Sequence, residues 1–130
     1  MKRILIADDQ RHVIRILAQV LERDGYQVDW VLDGQAALER VRLDPPDMLI
    51  TDIDMPRLDG EALCKQIVGE MPQRQFRICV MTSRTELEHR VWAGEIDNLV
   101  FLEKPISLRK LRALLLDYFT GSTVWCRETA

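Results

Sequence analysis

No apolar run in the 130 residues approaches the ~20 that a membrane-spanning helix needs. The segment Met1-Lys2-Arg3-Ile4-Leu5-Ile6 places positive charge before apolar residues, as a secretion signal would. Asp8-Asp9 interrupts it far too early for a signal's apolar region. On that absence the sequence predicts a cytoplasmic protein with no membrane contact. Cysteine is scarce: Cys64, Cys79 and Cys126 are odd in number and widely spaced, matching neither a disulfide framework nor zinc spacing. Cys64 and Cys79 stand among core-type residues and read as small hydrophobes. Histidine is scarcer still. His12 and His89 lie on predicted helices beside arginines and read as surface residues. A surplus of positive charge is also missing, with 18 Lys+Arg against 21 Asp+Glu and a net charge of -3. Nucleic-acid binding by bulk electrostatics is thereby disfavoured.

What is present suits one soluble globular domain: 47% apolar residues for a contiguous core and 30% charged residues for a surface. Apolar stretches of strand length alternate with helical periodicity. Ile4 to Ala7 reads as a strand. Val13, Ile14, Leu17, Val20 and Leu21 then recur at helix-face spacing until Asp24-Gly25. Tyr26 to Leu32 alternates as a second strand. Asp33-Gly34 opens a helix carrying Ala37, Leu38 and Val41, which Pro45-Pro46 ends. Met48 to Thr51 is apolar throughout and reads as a central strand. Asp59-Gly60 begins a helix with Leu63 and Ile67 inward, broken at Met71-Pro72. Ile78 to Met81 is a fourth strand, Glu86 to Ala93 a weaker helix and Leu99 to Leu102 a fifth strand. Ser107 caps a last helix with Leu108, Leu111, Leu114, Leu115 and Tyr118. Five strands alternating with five helices predict an α/β domain, a parallel sheet covered on both faces by right-handed crossovers.

In such a sheet ligands sit beyond the carboxyl ends of the strands. Asp8 and Asp9 follow strand one, Asp52 follows strand three, Thr82-Ser83 end strand four, and Lys104-Pro105 follow strand five. Three carboxylates converging at about 5 Å would repel by about 3 kcal/mol per pair at an effective dielectric near 20. The sum, on the order of 9 kcal/mol, rivals the whole stability of a small domain. The cluster therefore calls for a cation. All-oxygen ligation without nearby His or Cys points to Mg²⁺. A carboxylate that accepts a phosphoryl group gains charge on three oxygens, which a metal, a lysine ammonium and a hydroxyl or N–H can share. Asp52, between these helpers, is the best nucleophile.

These motifs, with Asp52-Ile53-Asp54-Met55-Pro56-Arg57-Leu58-Asp59-Gly60 and Phe101-Leu102-Glu103-Lys104-Pro105, resemble the receiver domain of bacterial two-component response regulators over residues 4–119. The resemblance implies a flavodoxin-like, doubly wound sheet in three layers with strand order 2-1-3-4-5. It implies Mg²⁺ held by Asp9, Asp52 and the backbone carbonyl of Asp54, with Asp8 acting through a metal-bound water. It further implies that Asp52 is the phosphoacceptor, that Thr82 hydrogen-bonds and Lys104 pairs with the phosphoryl group, and that Phe101 turns inward as a switch. A sensor histidine kinase or histidine phosphotransfer protein would be the donor. A downstream effector, or an output domain on the same chain, would read the surface of the fourth helix, fifth strand and fifth helix, which could also mediate a dimer. The Lys104-Pro105 bond would be cis. Asp97-Asn98 replaces a usual Gly-Ala pair before strand five, but Asp and Asn tolerate left-handed backbone. Ser83 replaces a usual Ala, and Phe101 replaces the more familiar Tyr and offers no hydroxyl. Asp54 and Arg84, two residues beyond Asp52 and Thr82, would flank the path of an attacking water and set the phosphoryl lifetime.

Each residue alone has a plainer reading. Asp8 or Asp9 could be a helix N-cap, Asp59-Gly60 a turn and cap, Lys104 a solvated lysine, Thr82 an ordinary β-former and Phe101 a core aromatic. Arg109, Lys110 and Arg112 could be a solvated face or part of a partner surface. A rival function is a phosphatase of the haloacid-dehalogenase type, whose Asp-x-Asp motif Asp52-Ile53-Asp54 imitates. There the motif follows the first strand, and Asp8-Asp9 would go unexplained. A receiver-like module that only binds partners is a third reading, disfavoured by the full set of reactive groups. The segment 120–130 is a tail or the start of a linker, too short for an output domain.

Overall fold

The computed structural model describes residues 1–83, 92 and 94–121. Five parallel strands, β1 (Arg3–Ala7), β2 (Gln27–Val31), β3 (Met48–Asp52), β4 (Arg77–Thr82) and β5 (Leu99–Glu103), form one sheet in the order β2-β1-β3-β4-β5. Helices α1 (Arg11–Arg23), α2 (Gly34–Leu43), α3 (Gly60–Glu70) and the C-terminal α4 (Leu108–Thr120) join them. The predicted helix from Glu86 to Ala93 falls almost wholly outside the described residues. So do His89, Arg84 and Cys126. Among the described residues no helix is long and apolar enough to cross a membrane.

The alternation of side chains along each strand feeds two cores. Leu5, Ala7, Leu49, Ile78, Val80 and Leu99 face one side, where Ala37, Leu38, Val41, Leu63 and Ile67 of α2 and α3 cover them. Ile4, Ile6, Met48, Ile50, Cys79, Met81 and Val100 face the other, under Ile14, Leu17 and Leu21 of α1 and Leu111 and Leu115 of α4. β3, central as its uniform apolarity predicts, is buried at all five positions. Cys64 and Cys79 lie inside these cores, where burial pushes both thiols up to about 12. They are the small hydrophobes expected of them.

Local signals set the helix ends. Asp33 Oδ1 accepts from the Ala36 amide and Asp59 Oδ1 from the Ala62 amide, each capping an orphan N–H at its helix start. Ser107 does the same for Lys110. Gly121, left-handed at φ 71°, closes α4. Asn98 takes φ 59° just before β5, and Ile78 N–H donates to its carbonyl at 3.0 Å. The Asp97-Asn98 turn thus survives without glycine, as its tolerance of left-handed backbone predicts.

Arg112 on α4 makes a two-point ion pair with Asp24 at the end of α1, at 2.8 and 2.9 Å. Of the basic cluster on the last helix, this arginine is thus engaged within the domain. Arg109 and Lys110 are exposed.

Candidate phosphoacceptor site

Parallel register brings the strand ends level. Ala7 pairs with Thr51 and Asp52 with Met81, so Asp8, Asp52 and Thr82 stand along one edge of the sheet. Thr82 pairs with Glu103, which puts Lys104 one residue beyond the same edge. The backbone reinforces the placement: Lys104 N–H donates to the Thr82 carbonyl at 2.7 Å, and Asp8 N–H to the Val31 carbonyl at 3.2 Å. The Lys104-Pro105 peptide is cis, as expected.

Asp8, Asp9 and Asp52 each bring a carboxylate oxygen to within 4.8 Å of the others. Asp8 is wholly buried, Asp52 nearly so, and Asp9 is exposed. The plain reading of Asp8 as a helix cap fails in detail. The residue at the N-cap of α1 is Gln10, whose side chain makes no capping bond. Asp8 Oδ1 instead accepts from the Gln10 amide at 2.9 Å, which fixes its carboxylate before the helix starts. Its second oxygen, Oδ2, is buried and accepts no hydrogen bond. Burial above all pushes the Asp8 carboxyl above its ordinary value. The Gln10 amide opposes that rise, Asp52 adds to it by charge repulsion, Lys104 opposes it and Asp9 adds to it.

Lys104 is the one side-chain cation placed against this cluster among the described ion pairs. Its Nζ lies 3.2 Å from Asp52 Oδ1 and 3.8 Å from Asp8 Oδ2. Asp52 Oδ1 also accepts from the Ile53 amide at 2.8 Å, so its carboxylate is oriented from two sides. Thr82, buried at 5% exposure, ends the neighbouring strand. One lysine against three carboxylates leaves net negative charge in a largely buried place. The unsatisfied Asp8 oxygen is the kind of atom a bound divalent cation relieves. The donor set is all oxygen and suits a hard ion.

The loop after Asp52 was only partly foreseen. Thr51, absent from the candidate residues, is fully buried, and its hydroxyl donates to the Asp52 carbonyl at 2.9 Å. A β-branched residue in a strand gives no sequence signal for that role. Arg57 adopts φ 70°, and Leu58 N–H turns back to the Pro56 carbonyl at 2.8 Å. Gly60 N–H donates to the Ile53 carbonyl at 2.7 Å. These bonds close the segment that carries Asp54 into a tight loop. Phe101 is half-buried and meets Trp92 edge-on, with ring centroids 5.9 Å apart. Trp92 had no part in the expected site. Its only sequence signal was an aromatic in a weakly patterned helix. The predicted Asp54–Arg84 pair lies outside the described residues because Arg84 does.

A five-stranded sheet in this order, with acids just after β1 and at the end of β3 and a lysine just after β5, defines a class of protein, and comparison with known sequences agrees. The family model described as the response regulator receiver domain matches residues 4–116, and the chain belongs to that family. The chain is 33% identical over 112 residues to the alkaline phosphatase synthesis transcriptional regulatory protein PhoP of Bacillus subtilis, covering 86% of this chain and 46% of that protein. It is 38% identical over 114 residues to the response regulator MprA of Mycobacterium tuberculosis, covering 85% of this chain and 47% of that one. The chain thus spans about half the length of the curated relatives it matches. Among solved structures, the signal receiver domain of a signal transduction histidine kinase from Syntrophus aciditrophicus superposes with a TM-score of 0.83 at 28% identity. That match covers 97% of this chain and 96% of the other. The family is one of receiver domains rather than turnover enzymes, and the Asp-x-Asp follows the third strand, so the phosphatase reading falls.

Proposed function

We propose that Asp52 accepts a phosphoryl group from a phosphohistidine on a sensor histidine kinase or histidine phosphotransfer protein. The observation that carries this reading is the placement of Lys104 Nζ 3.2 Å from Asp52 Oδ1, beside three carboxylates whose oxygens lie within 4.8 Å. A carboxylate oxygen of Asp52 attacks phosphorus. The new bond is O–P, the bond broken is P–N, and its electron pair stays on the donor imidazole. Asp9, Asp52 and the Asp54 carbonyl would hold Mg²⁺, with Asp8 acting through a bound water. That ion would offset the carboxylate charge and draw electron density from a phosphoryl oxygen. The Ile53 amide and Lys104 orient the nucleophile. Lys104 then pairs with the phosphoryl oxygens while Thr82 donates its hydroxyl to another. Asp54 and Arg84, two residues beyond Asp52 and Thr82 in the sequence, would set how long the acyl phosphate lasts.

The acyl phosphate carries close to two negative charges, a local change that biases a two-state element. Thr82 moves toward it and Phe101 turns inward, away from its present edge-on contact with Trp92. The altered surface comprises the region between β4 and β5, together with β5 and α4. It signals to a downstream effector, to an output domain on the same chain, or to a second copy in a dimer. The B. subtilis relative is named as a transcriptional regulatory protein, and a linked transcriptional output is one form this signalling would take.

Incubation with acetyl phosphate and Mg²⁺, followed by intact mass, tests the chemistry. The expected result is a gain of one phosphate in the wild type and none in Asp52→Asn. Equal labelling of both would overturn the assignment.

A further inference from the structure

Gly34 begins α2, outside every motif tied to the site, and is buried. Its backbone is not left-handed, so conformation alone does not require glycine there. Space does. A Cβ at Gly34 would stand 1.9 Å from the Leu58 carbonyl oxygen, 2.7 Å from the Leu58 carbonyl carbon and 2.9 Å from Leu58 Cβ. Two of those atoms are main chain, which cannot swing aside like the end of a flexible side chain. Ordinary contact begins at 3.4 Å, so the two segments would have to part by more than an ångström.

Neither side gives easily. On one side α2 is capped by Asp33, and Ala37, Leu38 and Val41 press its face into the core at 0–2% exposure. On the other, Leu58 belongs to the closed loop that leaves Asp52. That loop is pinned by the Ile53 amide on Asp52 Oδ1, by the Leu58-to-Pro56 turn and by the Gly60 amide on the Ile53 carbonyl. Its far end is equally tight, since a Cβ at Gly60 would lie 2.3 Å from the Asp52 carbonyl oxygen. Ile53 and Met55 anchor it in the core. A push at Leu58 therefore passes into the backbone around Asp54.

We propose that Gly34 is a positioning residue for the cation site: its missing side chain lets α2 back the loop of residues 53–59 and holds the Asp54 carbonyl where a metal can use it. The inference rests on the reading of Asp9, Asp52 and the Asp54 carbonyl as Mg²⁺ ligands. Mg²⁺ demands near-ideal octahedral geometry and tolerates errors of only a few tenths of an ångström. A displacement above an ångström at Leu58 is large on that scale.

The test is Mg²⁺ affinity by calorimetric titration of the whole chain, for the wild type, Gly34→Ala and Gly69→Ala. Gly69 is the control, because a Cβ there meets nothing within 4 Å. On helix propensity alone both substitutions stabilise a helix. The expected result is that Gly34→Ala keeps its far-ultraviolet circular dichroism but binds Mg²⁺ at least fivefold more weakly, while Gly69→Ala binds like the wild type. Equal affinity in Gly34→Ala and the wild type overturns the inference and leaves the site reading intact. A wild type that binds no Mg²⁺ overturns the reading itself. Should Gly34→Ala fail to fold, the wild type answers by amide NMR. Under the proposal the Gly34 and Asp54 amide signals shift with one Mg²⁺ midpoint, whereas a Gly34 signal that stays still while Asp54 moves contradicts it.

Discussion

A lysine just past a strand, taken alone, is most often a solvated charge. At Lys104 the neighbours change that meaning, because the ammonium stands between Asp52 Oδ1 at 3.2 Å and Asp8 Oδ2 at 3.8 Å. The same charge has opposite effects on the two events proposed for the site. It stabilises a phosphoryl group arriving on Asp52, and it repels a divalent cation arriving among the carboxylates. Lys104→Ala should therefore slow phosphorylation by acetyl phosphate, by about a hundredfold to a thousandfold on the scale of lost oxyanion donors. It should also leave Mg²⁺ binding as tight as in the wild type or tighter. Rates from intact mass over time, set beside calorimetric Mg²⁺ titrations, separate the two effects. A parallel loss of both would show that Lys104 holds the fold of the site rather than its charge. Residue types read from sequence found these groups because each carries its own chemistry. Thr51 and Gly34 escaped notice because their roles are a backbone hydrogen bond and an absence of atoms.

At the level of elements, the strands were legible because their periodicity and burial agree, and each begins or ends within a residue or so of its apolar run. Helix starts were legible where Asp or Ser caps them. The start of α1 was not, since Gln10 occupies the cap and Asp8 serves the site instead. How helices are tied to one another was also invisible, because such ties join distant residues. Arg42 near the end of α2 and Glu70 at the end of α3 make a two-point ion pair. The Arg42 guanidinium, helped by Gln66, holds the Glu70 carboxyl down at about 2, against an ordinary value of 4.5. A carboxyl lowered on folding adds stability above its unfolded value and loses that contribution as pH falls through its folded value. Arg42→Ala should therefore melt below the wild type at neutral pH, by a small margin because the pair is exposed and screened by salt. The two melting curves should converge as pH falls from about 4.5 to about 2. Thermal melts across that range check it; an undiminished gap in acid would mean that Arg42 acts by packing.

For the whole molecule, two cores flank one sheet and meet its edge at a cluster that opposes folding. Asp8 is fully buried, one of its oxygens has no hydrogen bond, and Asp52 and Asp9 repel it. Folding stability and the capacity to hold a cation are thus set against each other at one residue, a trade common where a fold carries a reactive site. Removing the charge at position 8 should stabilise the domain when no divalent ion is available. Asp8→Asn keeps the shape, and its amide can still accept from Gln10. It should raise Tm in EDTA by a few degrees, equivalent to about 1 kcal/mol for a domain of this size. Mg²⁺ should reverse the order. A ligand that binds only the folded state adds about 2.7 kcal/mol at a hundredfold excess over Kd. The wild type, with its full acidic set, should gain most of that, and Asp8→Asn much less. Paired thermal melts in EDTA and in Mg²⁺ measure both differences. If Asp8→Asn is the less stable protein in EDTA, then Lys104 already balances the cluster, and the electrostatic case for a cation at this edge fails.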